Sequence, residues 1–200
     1  MGTRHLIAVQ TGGVYKVAQY GQWDGYPQGQ GTDVLAFCRD AAKLAALREK
    51  APATTWLTAA DYPRIDATPN WPKVYPWLSR DAGADVLGHV ADQPAGLGLK
   101  NSIDFAADSV MCEWAYVVDL DANVLEAFRG FNRTPVPPSA RFAEIERAAG
   151  GSADYGHVKL VGRWPLDALP TDDAFVEACE REGDEATNFG AQMAALLRNV

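Results

Sequence analysis

Much of what would announce a function is scarce in this chain. Its 200 residues hold three cysteines, Cys38, Cys112 and Cys179, odd in number and far apart. That argues against a disulfide framework and reads as reduced, mostly buried thiols. The three histidines, His5, His89 and His157, stand alone, and no HxxxH, HxH or CxxC spacing occurs, so no metal site is expected. No apolar run approaches the roughly 20 residues that span a bilayer. No basic cluster occurs either: 18 Lys and Arg are scattered against 26 Asp and Glu, for a net charge of −8. Such a surface repels phosphate backbones, so nucleic acid is not expected as a partner. The start, MGTRHLIAV, lacks the layout of a secretory signal, and Leu6 stands where myristoylation wants Ser or Thr. Cytoplasmic residence away from membranes is the expectation. GxxxxGK[ST] is missing, and the main glycine run follows a hairpin strand rather than the first strand of a βαβ unit. Neither a phosphate cradle nor a dinucleotide fingerprint is present, and no cofactor is expected.

What is there centres on Tyr15–Gly31, YKVAQYGQWDGYPQGQG. It begins as a strand and then places Gly21, Gly25, Pro27, Gly29 and Gly31 within eleven residues, a pattern neither helix nor strand tolerates. Tyr20, Trp23 and Tyr26 lie among these, with Gln22, Asp24, Gln28 and Gln30 between them. The run reads as a shaped loop and as the wall of a site.

Around it, Arg4–Gln10 and Val14–Tyr20 read as a hairpin closed at Gly12–Gly13. Thr32 or Asp33 caps a helix whose apolar spacing continues from Val34 to about Lys50, with Pro52 beyond its end. Five prolines between 52 and 80 leave room only for short helices or turns. Trp56, Trp71 and Trp77 make that stretch too apolar for a disordered linker, so it reads as an ordered insertion in a single domain spanning 1–200. Ala82–Ala91 reads as a short helix, and Ile103–Val110 as a strand or helical turn. Cys112–Asp119 and Val124–Phe131 form a second hairpin, in which Val124, Glu126 and Phe128 share one face. Ser139–Ala149 has amphipathic helical spacing, with Phe142, Ile145 and Ala149 inward. His157–Trp164 reads as a strand. Thr171 or Asp172 caps a helix carrying Phe175, and Ala186–Leu197 reads as a closing helix. Hairpins at about 4–20 and 112–131 with packed helices make an α+β domain with a mainly antiparallel sheet, which a layered α/β/β/α stack would accommodate.

Two resemblances enter here. MGTRHL, the YKVAQYGQWDGYPQGQG block, LSRDAGADVL at 78–87 and CEWAYVVDLD at 112–121 resemble an uncharacterised family of bacterial, phage and fungal proteins. The resemblance implies a common fold and site but no reaction. The N-terminal hairpin is also similar to the start of N-terminal-nucleophile hydrolases, which expose Thr, Ser or Cys at residue one, often by cleavage after Gly. That similarity implies Thr3 as the nucleophile of an amide (C–N) hydrolase, its freed α-amine serving as base.

Each candidate has two readings. Asp24, beside Trp23, is an acid or base with a raised pKa, or it caps its own loop. Gln22, Gln28 and Gln30 bond a polar ligand while Trp23 and Tyr26 stack on it, or they tie the loop to itself. Arg80 clamps an anion with Asp81 beside it, or the pair is a structural salt link and helix cap. Glu113 faces a pocket, or is a solvated strand residue. Cys112 is a reactive thiol, or an inert buried one. The function expected is binding of a small polar ligand or a protein partner through residues 21–31, with Gln22, Trp23, Asp24, Tyr26, Gln30, Arg80, Asp81 and Glu113 as contacts. A hydrolase using Thr3, with Asp24, is the alternative, and a purely structural component the blandest one.

Overall fold

In the computed structural model, residues 2–94, 96–147 and 153–181 are described. Five strands form the main sheet: β1 (His5–Thr11), β2 (Val14–Gly21), β5 (Trp114–Asp119), β6 (Val124–Arg129) and β7 (Lys159–Pro165). Their order is β2-β1-β5-β6-β7. Both expected hairpins are there, β1 with β2 and β5 with β6, and β7 extends the second antiparallel run. The α+β class with a mainly antiparallel sheet therefore holds. The other sheet among the described residues is a two-residue parallel pair, β3 (Thr55–Trp56) with β4 (Gly98–Leu99), so no second large sheet is stacked on the first. The hairpins join by parallel pairing of β1 with β5, Ile7 opposite Tyr116. β1 is thus hydrogen-bonded on both edges, and residues 5–9 are all buried, where weak alternation in HLIAV suggests only mixed burial.

The two sheet faces carry separate cores. One face presents Ile7, Val9, Tyr116, Val118 and Leu125 to the helices α1 (Thr32–Arg39), α2 (Ala41–Lys50), α5 (Asp85–Asp92) and α6 (Asp172–Glu180). The other presents Leu6, Ala8, Val117 and Phe128 to the turn Ile103–Ala107 and to Phe142. Phe142 is 1% exposed, and its burial stabilises the fold by about 2–3 kcal/mol. The turn ends of the hairpins are tied together, because the Asp121 carboxylate accepts the N–H groups of Gly12 and Gly13 at 2.8 and 2.9 Å.

Two expectations are corrected. The helix from Val34 to Lys50 is two helices, broken at Asp40 (ψ 101°), whose carboxylate accepts from the N–H of Ala42 and Lys43 and so starts α2. Apolar spacing runs through the break, and the local cap outcompetes helix continuation. Ser139–Ala149 is not a helix over its described part. Successive turns, Ala140 N–H to Pro137 O and Ala143 N–H to Ala140 O, carry the chain across the sheet instead. The prolines at 137 and 138 force the extended entry, and the Arg141 head is drawn down to carboxylates on the sheet. Ile103–Ala107 is a tight helical turn. Residues 52–80 hold β3 and the short helices α3 (Tyr62–Asp66) and α4 (Trp71–Val74), with Trp56 and Trp77 packed on the helical core. Thr171 caps α6 by accepting from Ala174 N–H. The closing helix at 186–197 lies outside the described residues. No described helix is long and apolar enough to cross a membrane.

Candidate functional site

The glycine-rich loop is shaped by what it must pass. Gly21 is the cross-strand partner of His5, and a Cβ there would overlap the imidazole. A Cβ on Gly25 would stand 2.7 Å from the His5 Cβ and from the Thr3 carbonyl oxygen. On Gly31 it would stand 2.8 Å from the Tyr116 hydroxyl, which donates to Gly25 O at 2.9 Å. These glycines thus serve close packing on β1 and β5.

The polar groups of the loop are mostly consumed within the protein. Gln22 Oε1 accepts from the Tyr20 hydroxyl, and Gln30 Oε1 from Ala84 N–H. Gln28 donates to Glu180 and the Trp23 indole to Asp81 at 2.8 Å. Asp24 adopts φ 55°, its carbonyl accepts Gln30 N–H at 2.8 Å, and its carboxylate accepts the Tyr26 hydroxyl at 3.3 Å. The Asp24 charge, and then that bond, push the Tyr26 phenol up. Gln22, Trp23, Asp24, Tyr26, Gln30 and Asp81 are therefore brought together, as a self-bonded surface rather than an open set of ligand contacts. Trp23 and Tyr26 remain 47% and 40% exposed. Arg80 meets the loop through its backbone, its carbonyl accepting Gln22 N–H, while its side chain is exposed. Glu113 pairs with Arg4.

Thr3 lies before β1, with its carbonyl accepting Gly25 N–H. Its own nitrogen is an amide bonded to Gly2, and Gly2 sits so close under Trp23 that a Cβ would stand 2.6 Å from the indole ring. Amine-assisted catalysis at Thr3 requires Gly2 to be removed. Intact-mass measurement of the folded protein is expected to find Gly2 retained; a chain beginning at Thr3 would restore that mechanism. All three cysteines are buried and unpaired, and burial pushes their thiols up, Cys38 to about 12, which leaves little thiolate for chemistry at neutral pH. Among the described residues no three His, Cys, Asp or Glu side chains are grouped to hold a metal ion.

A cleft of about 720 Å³ lies instead on the sheet face away from the α-helices. Its polar base comes from neighbouring strands: Gln10 at the end of β1, Asp119 opposite it on β5, Glu126 on β6 and Arg163 opposite Glu126 on β7. Arg141 reaches down from the turns above and bonds Asp119, Glu126 and Gln10 with its three nitrogens. Asp119 and Glu126 are 4% and 5% exposed. Burial pushes the Asp119 carboxyl up, but the N–H groups of Ala122 and Asp121 and the Arg141 guanidinium outweigh it and hold the group below its ordinary value. Arg141 stays charged, because the two carboxylates more than offset its own burial. Phe128 and Phe142, with ring centroids 4.8 Å apart, add an apolar part to the lining, with Val136, Pro137 and Leu160. Burial raises the Tyr15 phenol, against the pull of Arg141.

Sequence reasoning passed over this group. The available clue was Glu126, which alternation places on one face with Val124 and Phe128. An acidic residue on an otherwise apolar strand face requires a partner. Comparison with protein families, curated proteins and solved structures finds no match.

Proposed function

We propose that the protein binds a small molecule in the cleft over β5, β6 and β7. The supporting observation is the Asp119–Arg141–Glu126 network at its base. Buried ion pairs contribute little net stability compared with apolar side chains of similar volume. A fold selected for stability alone has no need of three charges and an amide at this point, and a recognition surface does. The cleft volume falls within the ~300–1,000 Å³ of small-molecule sites, and its mix of fixed polar groups and apolar wall suits such a site. This reading keeps the expectation of a small-molecule binder and moves the site away from residues 21–31, whose three glutamine side chains each already make a hydrogen bond within the protein.

Thermal shift against a metabolite panel tests it. Stabilising compounds are expected, and their effect should vanish in Ser139→Trp, which fills the mouth of the cleft with a ring. The same compounds should still stabilise Trp23→Ala. The opposite pattern, loss with Trp23→Ala and retention with Ser139→Trp, would return the site to the glycine-rich loop and favour docking on the exposed Trp23 and Tyr26.

A further inference from the structure

On the reading that the cleft is the binding site, we infer that its ligand is an anion: a carboxylate carried on a compact aryl or branched-alkyl body. The inference follows from which hydrogen-bonding groups are spent and which are left. The buried acceptors are spent, and the one further carboxylate of the lining, Glu144, is exposed to solvent. Asp119 Oδ1 takes the N–H groups of Asp121 and Ala122, and Oδ2 takes Arg141. Glu126 Oε2 takes Arg141, and Oε1 faces Arg163 Nε at 3.4 Å. Gln10 Oε1 takes Arg141. At this base an incoming cation would have to evict Arg141 from two buried carboxylates, which costs several kcal/mol. At Glu144 it would gain only a weak, solvent-screened pair.

The donors are not spent. Arg163 is 48% exposed at its side chain, and its Nε ion pair with Glu126 orients the guanidinium while its two Nη groups have no partner among the described residues. Gln10 Nε2 and the Ser139 hydroxyl line the same cleft, equally without one. A planar fork with two parallel N–H groups matches a carboxylate. Phe128, Phe142, Val136 and Leu160 then offer the rest of the ligand an apolar wall.

Three probes of one shape and different charge decide the matter: benzoate, benzamide and benzylamine, titrated into the full chain and followed by amide NMR shifts. Benzoate is expected to move cleft signals with at least tenfold higher affinity than benzylamine. Arg163→Gln should weaken benzoate tenfold or more and benzamide less than twofold. Arg163→Lys, which keeps the charge and loses the fork, should fall between wild type and Arg163→Gln for benzoate. Equal or tighter binding of benzylamine in the cleft would overturn the inference and leave the cleft reading standing. Benzoate binding indifferent to both Arg163 variants would overturn the role of Arg163. If none of the probes moves a cleft signal, both the inference and the proposed site fall.

Discussion

Arg141→Ala is expected to destabilise the fold by about 3–5 kcal/mol at pH 7, measured by urea unfolding. Two carboxylates at 4% and 5% exposure would lose the cation that both share. Asp119 would keep its turn N–H groups and Glu126 its contact with Arg163, which places the loss toward the lower end of the range. Arg141→Lys keeps a charge but cannot reach Asp119, Glu126 and Gln10 together, so an intermediate loss is expected. The pH dependence carries the sign. In the wild type Asp119 is held below its ordinary value, so its contribution is present above the unfolded carboxyl range near ~4 and fades as pH falls through the lower folded value. In Arg141→Ala the Asp119 carboxyl loses a group that favours its charged form, so acid relieves the variant before it harms the wild type. The stability gap should therefore narrow from pH 7 towards pH 4. A gap below about 1 kcal/mol and flat with pH would mean that water screens the network as it does a surface pair.

The hairpins were legible because their strands alternate and their turns carry Gly12–Gly13 and Asp121–Asn123, chemistry that is local in sequence. The break at Asp40 was not, because Leu35, Cys38, Ala41 and Ala45 keep helical spacing across it, and spacing does not register a cap formed by one carboxylate. The Ser139–Ala149 stretch misled for a related reason. Phe142 and Ile145 are three apart in a helix and equally so in successive turns, and both do pack inward. What decided the matter was Arg141, whose partners lie 15 and 22 residues away, beyond any window of periodicity. The same distance hid the cleft, since Gln10, Asp119, Glu126 and Arg163 become neighbours only through strand order. The glycine-rich loop shows the converse. Its composition marked it as shaped and as neither helix nor strand, yet Gly21 ends β2 and Pro27–Gly31 winds into a kinked helical turn, and the shape answers to a histidine and a tyrosine on neighbouring strands.

That histidine yields the other large effect. His5 is 1% exposed, and neither ring nitrogen has a hydrogen-bond partner among the described residues. Burial lowers its pKa to about 4; the Thr3 carbonyl and the Asp24 charge pull the other way without prevailing. The Thr3 oxygen falls short of bonding the ring and is engaged by Gly25 N–H. A base whose folded pKa lies below its unfolded value of about 6.5 binds fewer protons folded than unfolded between those values. Lowering the pH through that window therefore drives unfolding, by about 1.4 kcal/mol per pH unit and about 3 kcal/mol in all. His5→Phe and His5→Leu remove the titration. Their unfolding free energies between pH 6.5 and 4.5 should fall less steeply than the wild type's by about 1 kcal/mol per unit. Because slopes and not midpoints are compared, a packing loss against Gly21 does not obscure the result. Equal slopes in all three proteins would show that the folded imidazole takes up its proton as readily as the unfolded one, and would overturn the lowered pKa. A flatter slope in both variants identifies the His5–Gly21–Gly25 contact as the acid-sensitive point of the fold, set within the loop that the glycines shape.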